Sequence, residues 1–458
     1  MSKIISQNEL DAKQISDSVK NFFDRFHISR LLKASNIKKE KGELPVSIMT
    51  YVFSLVFRNR SMSMYMDMLL GNGGVSFSKD TYYRFMNNVH ANWIRFTSLL
   101  ASRISTDVIT PATSAERVNA LIVDDSVFSR GCSKKAELLA KVFDHANHAF
   151  LYGFRMLTLG WTDGNTFLPV NHVLLSSANK SQNSEGHGVD RRCNGYRRRQ
   201  LALSKGTEAM IELIREAKKT SLPADYVLFD SWFASPKTLT AVKALGYDII
   251  AMIKRTDKMT FNCNRSKHSL KEIYRMNKKR RGRSKYLLSV TMEVEKDGQV
   301  IPAKVVYVRN RSNRKDYLCL ISTNIEIDEE EIIRIYSKRW QIEVFFKVCK
   351  SYLKLASECR SLSYDAMTAH IAVVFMRYMM LAVENRESED PRTLGELFMY
   401  FMDEMADITF LQAFNQIMTL FSKMMVEKFD LDEEEISKMI DAFIAALTPS
   451  MQRQLKAA

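Results

Sequence analysis

The stretch Tyr336-Ser337-Lys338-Arg339-Trp340-Gln341-Ile342-Glu343, running on to Lys347 and Lys350, carries the densest chemistry in the chain. Tyr336, Arg339, Glu343, Lys347 and Lys350 follow one another at intervals of three or four residues. At about 100° per residue, a helix would carry all five on one stripe. Ile342, Phe345 and Val348 fall on the other side and would face a core. A helix that shows one carboxylate among three cations and a phenol is either a solvated face of salt bridges or a surface made to meet an anion. In the second case the lone Glu343 can hold a divalent metal beside a phosphate.

The rest of the composition favours the second case. The 458 residues, 46% hydrophobic and 26% charged, describe a folded chain with room for two to four domains. A net charge of +15 points to a polyanionic partner, nucleic acid before an acidic membrane surface. The nearest thing to a membrane span, Ala366 to Val383, is interrupted by Arg377, and Met1 to Lys20 lacks the apolar centre of a signal peptide. Cysteines 132, 193, 263, 319, 349 and 359 are scattered without a Cys-x-x-Cys pair and read as free thiols of a reducing cytoplasm. His145 and His148 lack neighbouring ligand partners and read as loop or strand-edge residues. No Gly-x4-Gly-Lys-Ser/Thr loop is present, so use of a nucleoside triphosphate is not expected.

Residues 1–117 read as a helical, DNA-binding domain. Pro45 opens a helix towards Arg58, and Ser61 to Leu70 forms another. Beyond Gly71-Asn72-Gly73-Gly74, Ser78 can cap a helix with Tyr82, Tyr83, Arg84 and Phe85. This is either a DNA-reading helix-turn-helix or an ordinary helical hairpin. Residues 118–253 alternate between strands and helices. Ala120 to Val123 is a strand ending at Asp124-Asp125-Ser126, and Phe150 to Trp161 pairs with Thr166 to Leu175 through the turn Thr162-Asp163-Gly164-Asn165. A basic loop with Arg191, Arg192, Arg197, Arg198 and Arg199 precedes a helix over 205–219. Tyr226 to Phe229 is a strand ending at Asp230, followed by a helix from Pro236 to Leu245 and a strand from Ile249 to Ile253.

Residues 254–323 break the alternation and read as a β-rich insertion. They contain the run Lys278-Lys279-Arg280-Arg281-Gly282-Arg283-Ser284-Lys285, two strands joined across Asp297-Gly298, and a third at Tyr317 to Ser322. The acids Asp328 to Glu331 then favour a helix N-terminus that opens the helix of Tyr336 to Lys350, so that 324–358 completes the core. Residues 359–458 are helical and would serve dimerisation or cover the core.

Asp124 and Asp230 each stand where an apolar strand runs out, and ligand sites of α/β sheets gather at such strand ends. The element order is that of a ribonuclease-H-like α/β fold, in which carboxylates from strands one and four meet one from a late helix. Phosphodiester cleavage needs an activated water and a neutralised leaving oxygen, and two Mg2+ ions about 4 Å apart, held by hard oxygens, supply both.

These residues carry a resemblance. Tyr336-x2-Arg339-x3-Glu343-x6-Lys350 resembles the Tyr-Arg-Glu-Lys signature of the IS4-type DDE transposases of bacterial insertion sequences. Val123-Asp124-Asp125-Ser126 and Leu228-Phe229-Asp230-Ser231-Trp232-Phe233 resemble the family's two aspartate motifs, and the β-rich insertion is a family trait. The resemblance implies a triad of Asp124, Asp230 and Glu343 that binds two Mg2+ ions, replaceable by Mn2+. It implies DNA contacts from Tyr336, Arg339 and Lys350, and a stacking role for Trp340. Lys347 on the same stripe, and Lys278, Lys279, Arg280 and Arg281 on the insertion, would add to the DNA surface. The implied reaction frees a 3′-hydroxyl at the element's terminal inverted repeats and joins it to target DNA, carried out by a homodimer on double-stranded DNA. The insertion has no Trp, so a flipped base there would have to stack on Tyr274, Tyr286, Tyr307 or Tyr317. Asp124 and Asp125 point to opposite faces of their strand, and the family pattern favours Asp124. The alternatives are an inactive regulator derived from such an enzyme, or a stand-alone nuclease on the same fold.

Overall fold

The computed structural model describes residues 17–39, 41–57 and 77–387, apart from short gaps at 115–116, 132, 134, 145–146, 180–183, 185, 187, 281–283, 311–312 and 314–315. Beyond 387 it describes 418, 421, 424–426 and 433–446. The expected helix Ser61 to Leu70, the glycine break after it, Arg281, His145 and Cys132 lie outside these residues. The chain divides into two units, Met1–Ser29 with Lys39–Phe85 and Pro391–Ala458, and Arg30–Lys38 with Met86–Asp390.

In the first unit, α1 (Asp17–Arg25) sets Phe22 and Phe23 against Phe53 of a later helix. The chain continues through α2 (Ile28–Ala34), most of which is counted with the second unit, to that helix, α3 (Pro45–Ser54), which starts at a proline whose missing N–H costs nothing at a first turn. A further helix, α4 (Lys79–Met86), carries Tyr82, Tyr83 and Arg84.

The second unit is built on one mixed sheet. After α5 (Trp93–Ile104), capped by the Asn92 side chain, come β1 (Ala120–Ser129), β2 (Ala140–Asp144), β3 (Ala149–Thr162) and β4 (Phe167–Leu175). The helices α6 (Asn194–Ala202) and α7 (Gly206–Lys218) lead to β5 (Tyr226–Phe229), α8 (Pro236–Ala244) and β6 (Asp248–Met252). Strand β3 is antiparallel to β1 and β4 is antiparallel to β3, while β5 runs parallel to β1 and β6 to β5, giving the order β4-β3-β1-β5-β6. This arrangement agrees with the ribonuclease-H-like α/β fold class expected from the sequence. It follows from the hairpin turn at Gly164, which adopts φ +92, and from the two helical crossovers that parallel strands require.

The insertion extends this sheet. It comprises β7 (Thr260–Cys263), β8 (Ser266–Ser269), α9 (Leu270–Met276), β9 (Tyr286–Lys296), β10 (Gln299–Arg309) and β11 (Tyr317–Ser322), and β11 pairs antiparallel with β6. Asp297 and Gly298 both take positive φ in the β9–β10 turn, the type I′ geometry that matches strand twist. The sequence pattern did not reveal β2, β7 or β8, which are only four or five residues long.

Behind the insertion follow α10 (Glu329–Ser337), α11 (Trp340–Ser351) and α12 (Tyr364–Glu387), and α13 (Glu433–Ala446) belongs to the first unit. α12 is long and apolar enough to cross a membrane, but its apolar window is wholly buried, with Arg377 paired to Glu358 at 2.6 Å. The five described free cysteines are all buried.

Three expectations need correction. Asp124 is not at a strand end: β1 runs on to Ser129 because β3 keeps pairing with it to Gly153, and only its parallel pairing with β5 stops at Val123. The helix of Tyr336 to Lys350 is two helices, since the amides of Lys338, Arg339 and Gln341 bond three residues back instead of four. Arg198 and Arg199 belong to α6, not to a basic loop. They are buried in pairs with Asp365 and, for Arg199, with Glu137 at 2.7 Å, so they hold the core together and are closed to DNA.

Gly160 of β3 allows the Phe167 ring to lie against the backbone, and Phe167 in turn packs on Phe345 of α11 at 5.2 Å between centroids. A Cβ at Gly160 would stand 2.1 Å from that ring. Gly160→Ala is therefore expected to lower stability by about 1–3 kcal/mol, as overpacking does. Adding Phe167→Leu should recover part of the loss in urea denaturation, and no recovery would mean that the ring is not the obstacle.

Candidate active site

Alternation along β1 sends Asp124 to the face shared with Ile122 and Ser126, and Asp125 to the opposite face. α11 packs on β1, and this brings Arg339 to Asp124: one guanidinium nitrogen donates to Asp124 Oδ2 at 2.7 Å, and the other to Glu343 Oε1 at 2.5 Å. Asp124 and Arg339 keep only 16% and 17% of their side-chain exposure, while Glu343 keeps 34%. The tightened turn between α10 and α11 lets Arg339 serve both carboxylates while staying beside Tyr336.

Asp230 follows β5 directly, and its Oδ1 accepts the Trp232 amide at 2.9 Å in an Asx turn. It is close enough to raise the pKa of Asp124 by charge repulsion. Burial is the largest influence on Asp124 and pushes its pKa up to about 6; Arg339 and the Asp125 amide oppose this, and the charges of Asp125 and Asp230 add to it. Burial also pushes the Tyr336 phenol up to about 12, against the pull of Arg339, so it stays a neutral hydrogen-bonding group.

The remaining candidates lie around this centre. Trp340 is 63% exposed at the start of α11, and Lys347 and Lys350 are exposed further along it. Lys278, Lys279 and Arg280 sit instead on the insertion, Lys279 over the Tyr274 ring and Arg280 over the Tyr286 ring. Of the four insertion tyrosines, Tyr286 and Tyr307 are buried, and Tyr274 stacks on Tyr317 at 4.1 Å. Arg155 on β3 is a residue that sequence reasoning missed. It grips Asp125 through two hydrogen bonds of 2.8 and 2.7 Å. The signal was available, because Arg155 is the one charged residue in the run Phe150 to Trp161.

The donor set suits a hard divalent cation, since three carboxylates of which one is buried against like charges would be relieved by it. As they stand, no three His, Cys, Asp or Glu side chains among the described residues are gathered closely enough to hold a metal ion. The guanidinium of Arg339 lies between Asp124 and Glu343 and carries the positive charge there.

The large mixed sheet with its parallel half and its flanking helices is the architecture of a nuclease core of the ribonuclease-H-like kind. Residues 46–311 match the family model of the DDE superfamily endonucleases, more than half of the chain, and the chain belongs to that family. It is thus a nuclease-type enzyme whose substrate is DNA, of a group that uses divalent metal ions. The match includes Asp124 and Asp230 and ends before Glu343. No curated protein matches the chain significantly.

An Asp124 pKa of about 6 in the folded chain, against an ordinary 3.8, means that this group favours folding most below 3.8 and loses that contribution as pH rises through 6. Asp124→Asn cannot ionise, so its melting temperature should gain on that of the unaltered protein between about pH 4 and pH 7 and then level off. A difference that stays flat across this window would show that Asp124 titrates as an ordinary surface carboxylate.

Proposed function

We propose that the chain is a transposase of the IS4 type, which cuts the ends of its own insertion sequence and joins the freed 3′-hydroxyl to target DNA. The observation that carries this reading is the shared guanidinium. Residues far apart in the sequence, one on the central strand and two at the start of a late helix, meet in the order Asp124–Arg339–Glu343. Here Asp124, Asp230 and Glu343 would hold Mg2+ or Mn2+, and bound metal would supply charge neutralisation of the attacking and leaving oxygens. Arg339 would turn from the carboxylates to a DNA phosphate as metal and DNA enter, with Lys347 and Lys350 on the same helix adding backbone contacts. Trp340, already exposed, would stack on a base near the cut. The insertion's Lys278, Lys279, Arg280 and Arg281 would hold flanking duplex without regard to sequence. The enzyme would act in the bacterial cytoplasm as a homodimer on paired ends, with 1–117 reading the terminal repeats and 359–458 joining protomers or covering the core.

Nicking of end-bearing DNA with Mg2+ supplied and withheld tests the reading. Asp124→Ala, Asp230→Ala and Glu343→Gln should each lower cleavage by at least about a thousandfold while leaving DNA binding in place. Cleavage that survives one of them removes that residue from the triad. Intact cleavage without strand joining would favour a stand-alone nuclease instead.

Neutralising Lys278, Lys279 and Arg280 together should weaken binding to duplexes of any sequence and flatten the salt dependence by up to about three phosphate contacts' worth. An unchanged slope would assign these cations to the aromatic contacts of the insertion alone.

A further inference from the structure

Trp232 stands 54% exposed in the turn after β5, two residues beyond Asp230, whereas its neighbour Phe233 is buried at 1%. A ring placed to seal the end of the sheet would be covered as Phe233 is. Two cations approach the Trp232 indole from separate elements. The Arg155 guanidinium of β3 is 5.0 Å from the ring centroid, and the ammonium of Lys254, which follows β6, is 4.9 Å away. Arg155 is fixed in place by its double hydrogen bond to Asp125, on the sheet face opposite Asp124. Lys254 is exposed and forms no ion pair among the described residues. Both cations therefore meet the indole at the rim where the parallel strands end, one tied to Asp125 and one exposed. An open aromatic face bordered by cations is the composition that receives single-stranded nucleic acid, the base on the ring and the phosphates on the charges. A double-stranded segment would offer no unstacked base to the ring.

We propose that Trp232, Arg155 and Lys254 form a nucleotide-binding contact that stacks one unpaired base of the DNA beside Asp230, separate from Trp340 on α11. The proposal rests on the reading of the chain as a DNA-cutting enzyme. The contact holds the strand that runs past the carboxylates once the duplex end has opened, and Arg155 couples it to the sheet through Asp125.

The test uses the full chain without metal and a DNA duplex that carries 2-aminopurine in a short single-stranded 3′ overhang. Stacking should quench the fluorescence. Trp232→Ala should abolish the quench and weaken binding of the overhang duplex about tenfold, the size of one stacking contact. Binding of a blunt duplex by that variant should be unchanged, which also shows that it is folded. Trp232→Phe should keep most of the quench. An undiminished quench in Trp232→Ala, or equal losses on blunt and overhang duplexes, would overturn the proposal. Glu343→Gln, which does not touch the Trp232 turn, should leave the quench intact, so a failure of the cleavage reading and a failure of this contact are told apart.

Discussion

Carboxylates brought together on the face of a buried strand repel one another, and Arg339 is what lets Asp124 and Glu343 share one place in this fold. Its guanidinium offers two parallel donor directions, so one side chain serves two acids from different elements, which a lysine's single ammonium would do less well. The constraint reaches outward. Arg339 must lie at the tightened turn between α10 and α11, and α11 must lie on β1. That requires Ile342, Phe345 and Val348 to be buried beneath it, as they are. Even so, burial and the neighbouring aspartates leave Asp124 with a pKa near 6, a charge only partly accommodated by the protein.

The opposite face of β1 repeats the device. Asp125 is neutralised by Arg155, and that arginine also lies against Trp232 beside Asp230. Two adjacent aspartates are thus held apart by strand alternation, each by its own arginine, and the polar rim of the sheet is organised from both sides. A third arginine pair has a different use. Arg198 and Arg199 with Glu137 and Asp365 are sealed in the interior, where balanced charge ties α6 and α12 to the loop before β2.

Much of the core was legible because its signals are local. The runs Ala120 to Val123 and Tyr226 to Phe229, the turns at Gly164 and Gly298, and the proline-led helices each state their conformation within a few residues. The missed strands β2, β7 and β8 are short and carry polar residues such as Lys141, Asn262 and Lys267, so their period cannot be told from that of a loop. The kink at Lys338 and Arg339 was equally hidden, because both residues keep right-handed helical dihedrals and only the hydrogen-bond partners change.

By itself the sequence determined the longer strands and most helices, the β-rich character of 254–323 and the residue types available for metal and DNA, since propensity, period and turn chemistry act over short spans. Tertiary structure alone decided which charges are free and which are spent. Arg199 and Arg339 look alike in a list of basic residues, yet one is locked between Glu137 and Asp365 and the other bridges the largely buried Asp124 and the more exposed Glu343. Pairing across the sheet is set by register and packing between distant segments, and no local pattern encodes that distance.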